Sequence, residues 1–197
     1  MDRDKYRTFA ELRENEVENR DYRIRVSAVA GSDVVILAPH GGKIEFLTSE
    51  LARSIAGVDH NSYVFEGMKA DGNGGLHITS SNFDEPEALA LVIGSAVVVT
   101  VHGLSGETNE IQIGGRDAAL RTRINSNLRK AGFESRVETS GQFGGTDESN
   151  ICNRGTSGGG TQIEITAGLR RLLRKDGERY AAFVDAVRRA IVSMTAI

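Results

Sequence analysis

The stretch that decides the fold is VVILAPHGGKIE, at residues 34–45. Its opening apolar run is typical of a strand that is buried on both faces of a sheet. The run leads to His40, two glycines follow, and Glu45 closes the stretch. Because the backbone can turn back at glycine, the imidazole of His40 and the carboxylate of Glu45 can converge at the mouth of the sheet. The stretch therefore predicts a central strand and part of a site at its end.

A second apolar run has the same layout. Residues 96–101 read AVVVTV, and His102 and a glycine follow them. Two histidines at strand ends, together with one carboxylate, give the ligand count of a catalytic zinc, whose fourth position stays open for water. A third run, TQIEIT at residues 161–166, alternates polar and apolar residues and places Glu164 on its polar face. A metal-dependent amide hydrolase needs this set of groups.

The rest of the chain alternates strand patterns with helix patterns. We predict strands at 22–30, 33–39, 62–66, 76–79, 96–102, 109–113, 135–139 and 161–166, and helices at 48–55, 84–93, 117–130 and over the tail from 167. This alternation predicts a three-layer α/β fold, with a mixed, largely parallel, twisted sheet flanked by helices. In such folds the ligand crevice lies beyond the carboxyl ends of the strands, where His40, His102 and Glu164 all fall. No repeat or linker divides the sequence, so we expect one domain over residues 1–197.

Composition and charge exclude several classes of protein. The 197 residues carry 24 lysines and arginines against 27 aspartates and glutamates, a net charge of −3, so no overall positive field attracts nucleic acid. The single cysteine allows no intramolecular disulfide. The charged N-terminus lacks the apolar core of a signal peptide, and no stretch approaches the roughly 20 apolar residues of a membrane span. We expect a monomer without a nucleic-acid or membrane partner, cytoplasmic or released on lysis.

A set of short blocks, in a fixed order, points to a known family. The blocks are PHGGKIE at 39–45, LHITS at 76–80, FDEP at 83–86, VHG at 101–103, GG at 114–115, LR at 120–121, NICNR at 150–154 and QIEI at 162–165. Together they resemble the phage-type poly-γ-glutamate hydrolases, which are similar in fold to zinc carboxypeptidases and to amidohydrolases of N-acyl amino acids. The resemblance implies a zinc ion held by His40, Glu45 and His102, with Glu164 as the general base.

The resemblance also implies a reaction. A zinc-bound water would attack the γ-glutamyl amide bonds of poly-γ-glutamate, and the glutamate base would transfer the proton. Arg154 or Arg121 is the candidate for stabilising the oxyanion. Each unit of this polymer keeps a free α-carboxylate, and the guanidinium group of arginine binds carboxylates well through two parallel hydrogen bonds. The candidates for binding these carboxylates are Arg121, Arg123, Arg154, Arg170 and Arg171. Further candidates for contact with substrate are Asn153, His77 and Lys43.

Other interpretations stay open at this stage. The substrate could instead be an N-acyl amino acid or a small γ-glutamyl peptide, and a different class would be a non-catalytic accessory protein of phage or prophage replication. His77 could be a hydrogen-bonded structural histidine. Cys152 could be a nucleophile, although a small buried thiol is the commoner role for a lone cysteine. The glycine-rich stretch 155–160 lacks the lysine of a P-loop and runs into a strand, so it predicts a flexible active-site loop.

Overall fold

The computed structural model describes residues 4–141 and 143–195, which form a seven-stranded sheet with helices on both faces. The strands are β1 (Tyr22–Ser27), β2 (Val34–Gly42), β3 (Asn61–Gly67), β4 (Val97–Leu104), β5 (Glu110–Gly115), β6 (Glu134–Val137) and β7 (Thr161–Thr166). The helices are α1 (Phe9–Asn15), α2 (Thr48–Ala56), α3 (Pro86–Ile93), α4 (Ala118–Lys130), α5 (Ala167–Lys175) and α6 (Gly177–Thr195). None of the described helices is both long and apolar enough to cross a membrane.

The sheet is mixed and mostly parallel, which confirms the predicted fold class. Its strand order is β1-β3-β2-β4-β7-β5-β6. The four strands β3, β2, β4 and β7 run parallel, whereas β1 pairs antiparallel with β3 and β5 pairs antiparallel with β7. The carboxyl ends of β2, β4 and β7 therefore meet at one edge of the sheet. There the pairing of β4 with β7 places His102 directly beside Glu164.

Two apolar layers hold the sheet between the helices. Residues 34–38 of β2 are fully buried, as expected for a strand covered on both faces. Alternate residues serve opposite layers, because successive side chains of a strand point to opposite faces. Ile36 belongs to the apolar layer that includes residues of α2, α4, α5 and α6, while Val35 and Leu37 belong to the layer that includes residues of α1 and α3. This double layer fixes the strand ends from which the candidate site is built.

The segment 76–79 was predicted to be a strand, and that prediction is wrong. A short 3₁₀ helix leads into it, and the residues after that helix join no described strand. Two of their backbone groups bond to side chains: the Ile78 carbonyl accepts from His40 Nε2 (2.7 Å), and the Thr79 amide donates to Asp4 (2.6 Å). The side chains of the segment alternate between buried and more exposed positions, which is why its sequence has the pattern of a strand.

The glycine-rich stretch 155–160 was predicted to be an active-site loop, and this prediction is also wrong. The stretch enters β7 at its amino end, opposite to the end that carries Glu164. A Cβ atom built on Gly160 would overlap the carbonyl oxygen of Cys152 and lie 2.8 Å from that of Val98. Gly160 is therefore needed for close backbone packing.

We predict that Gly160→Ala destabilises the fold by about 1–3 kcal/mol, because the added methyl group collides with backbone atoms that cannot rotate away. The free energy of unfolding in urea measures the effect. Gly74→Ala is the matched control, because a Cβ atom there has no neighbour within 4 Å; we expect it to change stability by less than about 0.5 kcal/mol. Equal stability of the two variants would contradict the close packing at Gly160.

Candidate metal centre

A cavity of about 370 Å³ opens beyond the carboxyl ends of the central strands. His40, His102 and Glu164 reach it from β2, β4 and β7, and Glu45 reaches it from the turn after β2. Residues 77 and 79–81 form one wall, and part of the connection between β6 and β7 forms another. The structure therefore has a cavity at the edge of the sheet where the sequence predicted the site.

The end of β2 brings His40 and Glu45 together. The pairing register of β2 with β3 shifts between Ala38 and Gly41, so the strand is irregular where His40 stands. Gly42 then adopts a left-handed φ of 63°, which glycine tolerates without strain. The Glu45 amide donates to the His40 carbonyl (2.9 Å) and closes the turn. The glycines thus have the role that the sequence predicted for them.

Three groups in this cavity are spaced like the ligands of one metal ion. The Nδ1 atoms of His40 and His102 lie 3.1 Å apart. The Glu45 oxygens Oε1 and Oε2 lie 3.5 Å from His40 Nδ1 and 4.0 Å from His102 Nδ1, respectively. A tetrahedral zinc ion with bonds of about 2.0–2.1 Å separates its ligand atoms by roughly 3.3 Å. The donor types and their separations fit such an ion.

The Nε2 atoms of His40 and His102 contact other groups. His40 Nε2 bonds to the Ile78 carbonyl (2.7 Å), which can only accept, so this nitrogen carries a proton. His102 Nε2 lies 3.5 Å from the Ser80 hydroxyl. Both rings are about 2% exposed. Their Nδ1 atoms face each other in a space from which water is almost excluded, so a proton or a cation must lie between them.

The charges of the three groups are strongly coupled. Burial alone would raise the pKa of Glu45, but His40, His102 and the Gly103 amide outweigh it and lower the pKa to about 2. Burial and the neighbouring His40 lower the pKa of His102 to about 3, so this ring is neutral at pH 7. Burial opposes protonation of His40, yet Glu45 raises the pKa of His40 overall. A divalent cation bound at this point would take the place of the His40 proton.

Glu164 lies next to this cluster on β7. Burial and the negative charge of Glu45 raise the pKa of Glu164 to about 8. Gln162 donates to its carboxyl group (3.2 Å), and Asn150 in turn donates to the amide oxygen of Gln162 (2.9 Å). This chain of hydrogen bonds orients the carboxyl group. A carboxyl group with a raised pKa in a cavity can accept a proton and return it.

His77 offers a second choice for the third ligand. Ligand atoms of His40, Glu45 and His77 lie within 4.8 Å of one another. The rings of His77 and His40 are stacked, however, with centroids 4.0 Å apart and planes at 29°. Imidazole lone pairs lie in the ring plane, so stacked rings direct them side by side and not at one point. The His102 ring is tilted by 55° to that of His40, which suits convergence better.

His77 lines the cavity, but the other residues predicted to contact substrate or an oxyanion are not among the described residues that line it. Several of them donate to backbone carbonyls instead: Lys43 to Lys69, Arg121 to Gly115, Asn153 to Gly145 and Asp147, and Arg154 to Ser149 and Ser81. Asn153 and Arg154 thereby anchor the β6–β7 connection that forms one wall of the cavity.

Sequence reasoning gave no role to Asn150 or to the wall that contains Phe143 and Asp147. The sequence did indicate a position for Gln162 beside Glu164, because residues two apart in a strand lie on the same face. Cys152 is fully buried, and burial raises the pKa of its thiol to about 12. The structure therefore favours the small buried thiol over the nucleophile.

Known proteins are similar to this chain in sequence and fold over almost its whole length. A family model described as poly-gamma-glutamate hydrolase matches residues 6–183. The solved structure of a bacteriophage poly-gamma-glutamate hydrolase superposes with a TM-score of 0.93 at 30% identity, over 98% of this chain and 99% of that chain. The zinc-free apo structure of YndL superposes with a TM-score of 0.90 at 35% identity, over 96% of this chain and 98% of that chain. The SPbeta prophage-derived protein YoqZ of Bacillus subtilis (strain 168) is 38% identical over 192 residues, which are 93% of this chain and 69% of YoqZ.

Proposed function

The chain belongs to the poly-gamma-glutamate hydrolase family, whose members hydrolyse amide bonds, and we propose that it cleaves the γ-glutamyl bonds of poly-γ-glutamate with the help of zinc. In this proposal His40, Glu45 and His102 hold the ion and Glu164 is the general base. The observation that supports it best is the convergence of two buried imidazole nitrogens and one carboxylate, with separations from 3.1 to 4.0 Å, beside a second buried carboxyl group.

The proposed ligands are prepared for a cation before it binds. A zinc ion there would lower the pKa of water towards about 7 and polarise the carbonyl of the scissile amide. The ionised Glu45 supplies the negative charge, and the neutral His102 supplies a lone pair. The hydrogen bond from His40 to the Ile78 carbonyl fixes the orientation of the His40 ring and makes its free nitrogen more basic.

Glu164 carries the proton in this proposal. Its carboxylate accepts a proton from the attacking water and delivers it to the leaving nitrogen. A divalent cation nearby counteracts the burial that raises the pKa of Glu164, and so favours the ionised form that a base needs. The amide of Gln162 keeps one oxygen of Glu164 in a fixed direction throughout the transfer.

Substrate contacts in the cavity come from uncharged groups and from His77. The described lining contains no lysine or arginine, but it does contain Thr79, Ser80, Ser81, Thr146 and Asn150. We propose that these hydroxyl and amide groups bind the amide bonds and α-carboxylates of the polymer next to the scissile bond. His77 is held by a bond between its Nδ1 and Asp4 (2.8 Å), which leaves its other ring nitrogen for substrate.

We predict that His102→Ala lowers the affinity for zinc at least about a hundredfold, because a ligand matters more than an outer hydrogen-bond partner, whose loss costs 10–100-fold. His77→Ala is the matched control and should keep one zinc ion per chain. Competition with a chelator measures the affinity, and circular dichroism checks the fold. Loss of zinc in His77→Ala with retention in His102→Ala would transfer the third ligand to His77.

We predict that Glu164→Gln keeps zinc and substrate binding but lowers kcat at least about a hundredfold, because the amide cannot accept the proton of water. Glu110→Gln on the neighbouring strand is the control, since that side chain pairs with Arg136 and lies outside the described cavity lining. Zinc content and steady-state kinetics are measured on the same samples. A variant that lost zinc would make Glu164 a ligand, and normal turnover would remove it from the reaction.

We predict that the zinc-loaded protein shortens poly-γ-glutamate, as measured by gel filtration of the products and by the appearance of new amino groups. The protein stripped of metal by a chelator, and Glu164→Gln, are the negative controls. Hydrolysis of small N-acyl amino acids with no change in polymer length would favour the alternative substrate class. If neither substrate is cut by zinc-loaded protein, the proposal fails.

A further inference from the structure

Arg170 on α5 is a buried cation that the proposed reaction does not use. Only 5% of the residue is exposed, and it is not among the described residues that line the cavity. Within the described part of the chain, no carboxylate forms an ion pair with its guanidinium. An arginine is seldom buried in this way, because taking a charge out of water costs free energy unless other bonds compensate.

The bonds that compensate come from the backbone of three separate segments. Arg170 Nε donates to the Ile165 carbonyl (3.0 Å), Nη1 to the Phe46 carbonyl (2.9 Å) and Nη2 to the Leu104 carbonyl (3.1 Å). The guanidinium also stacks on the Phe46 ring, with Cζ 4.4 Å from the centroid. Because a guanidinium is planar and rigid, one side chain sets the spacing of all three carbonyls.

These three segments are the ones that carry the proposed reacting and metal-binding groups. The accepting residues directly follow Glu45 and Glu164, and the third stands two positions after His102. A shift of any of these carbonyls by a fraction of an ångström would displace the neighbouring side chain in the cavity by a similar amount. The three segments are far apart in the sequence, and Arg170 bonds to all of them at once.

Gly103 makes room for this arrangement. A Cβ atom on Gly103 would lie 2.6 Å from Arg170 Cζ, so only glycine lets the guanidinium approach β4 so closely. The Gly103 amide also donates to Glu45 Oε2 (2.7 Å). The same short piece of backbone therefore contacts the guanidinium on one side and a proposed metal ligand on the other.

We infer that Arg170 is a positioning residue that does not contact substrate. By bonding to the adjacent backbone, it fixes the positions of Glu45, His102 and Glu164 relative to one another. The inference deepens the proposed function and rests on it for the roles of those three groups. It differs from the sequence-based idea of arginines that bind the polymer, because every donor nitrogen named here is occupied by a carbonyl of the chain itself.

The test compares Arg170→Lys with Arg174→Lys, an exposed arginine one turn later on α5. Lysine keeps the charge, but its single nitrogen cannot bond to three carbonyls in a fixed plane. Well below the unfolding temperature, Arg170→Lys should lower kcat at least about tenfold with KM changed less than about twofold, and it should weaken zinc binding at least about tenfold. Arg174→Lys should match the wild type in all three quantities.

Hydrogen–deuterium exchange of the metal-free protein separates positioning from general stability. In Arg170→Lys we expect exchange to become at least about tenfold faster around residues 44–48 and 102–106, while α4 keeps its protection. Gly103→Ala should give the same local pattern, because the added methyl group displaces the guanidinium. This second variant decides the question if Arg170→Lys does not fold.

Unchanged exchange and unchanged kcat in both variants would overturn the inference. Faster exchange throughout the sheet, in proportion to a lower unfolding temperature, would also overturn it, because Arg170 would then only stabilise the fold. A wild-type protein that binds zinc but cuts no polymer would refute the proposed function alone. In that case the local exchange and the zinc affinity would still decide whether Arg170 positions the three groups.

Discussion

The structure depends on how a cluster of ionisable groups is kept at one edge of the sheet, largely out of water. His40, Glu45, His102 and Glu164 line one cavity; His40, His102 and Glu164 are buried, and the Glu45 side chain is 15% exposed. Burying ionisable groups costs several kcal/mol for each one that stays charged, unless partners compensate. The partners here are mostly backbone groups, such as the Ile78 carbonyl for His40 and the Gly103 amide for Glu45. The backbone around the cavity must therefore be placed as accurately as the side chains.

The apolar pattern of the strands supplies that accuracy. Ile163 and Ile165 are fully buried on one face of β7, which directs Glu164 to the other face, towards the cavity. If the pairing of β7 with β4 slipped by one residue, the two isoleucines would face the cavity side of the sheet. Glu164 would then point into the apolar layer that now contains the isoleucines. The apolar core thus penalises every register except the one that pairs Glu164 with His102.

Much of the fold and the place of the site could be predicted from the sequence for the same reason. Apolar runs predict parallel strands, and parallel strands bring their ends together, so His40, His102 and Glu164 could be assigned to one edge. Helix α1 and the segment 76–79 could not be predicted correctly, because their structure depends on distant partners. The amide of Thr79, for example, bonds to Asp4, a residue 75 positions away in the sequence.

Residue type alone did not predict what the arginines bond to. A polyanionic substrate suggests arginine forks in the site, yet Arg121, Arg154 and Arg170 all donate to backbone carbonyls. Turns and strand ends leave many carbonyls without a partner, and a guanidinium with five N–H groups can satisfy several of them at once. Such a choice has no signature in the sequence, because it depends on which carbonyls lie near in the fold. Of these arginines, Arg154 bonds to backbone next to the cavity and Arg170 to backbone next to Glu45, His102 and Glu164, and neither is among the described residues that line the cavity.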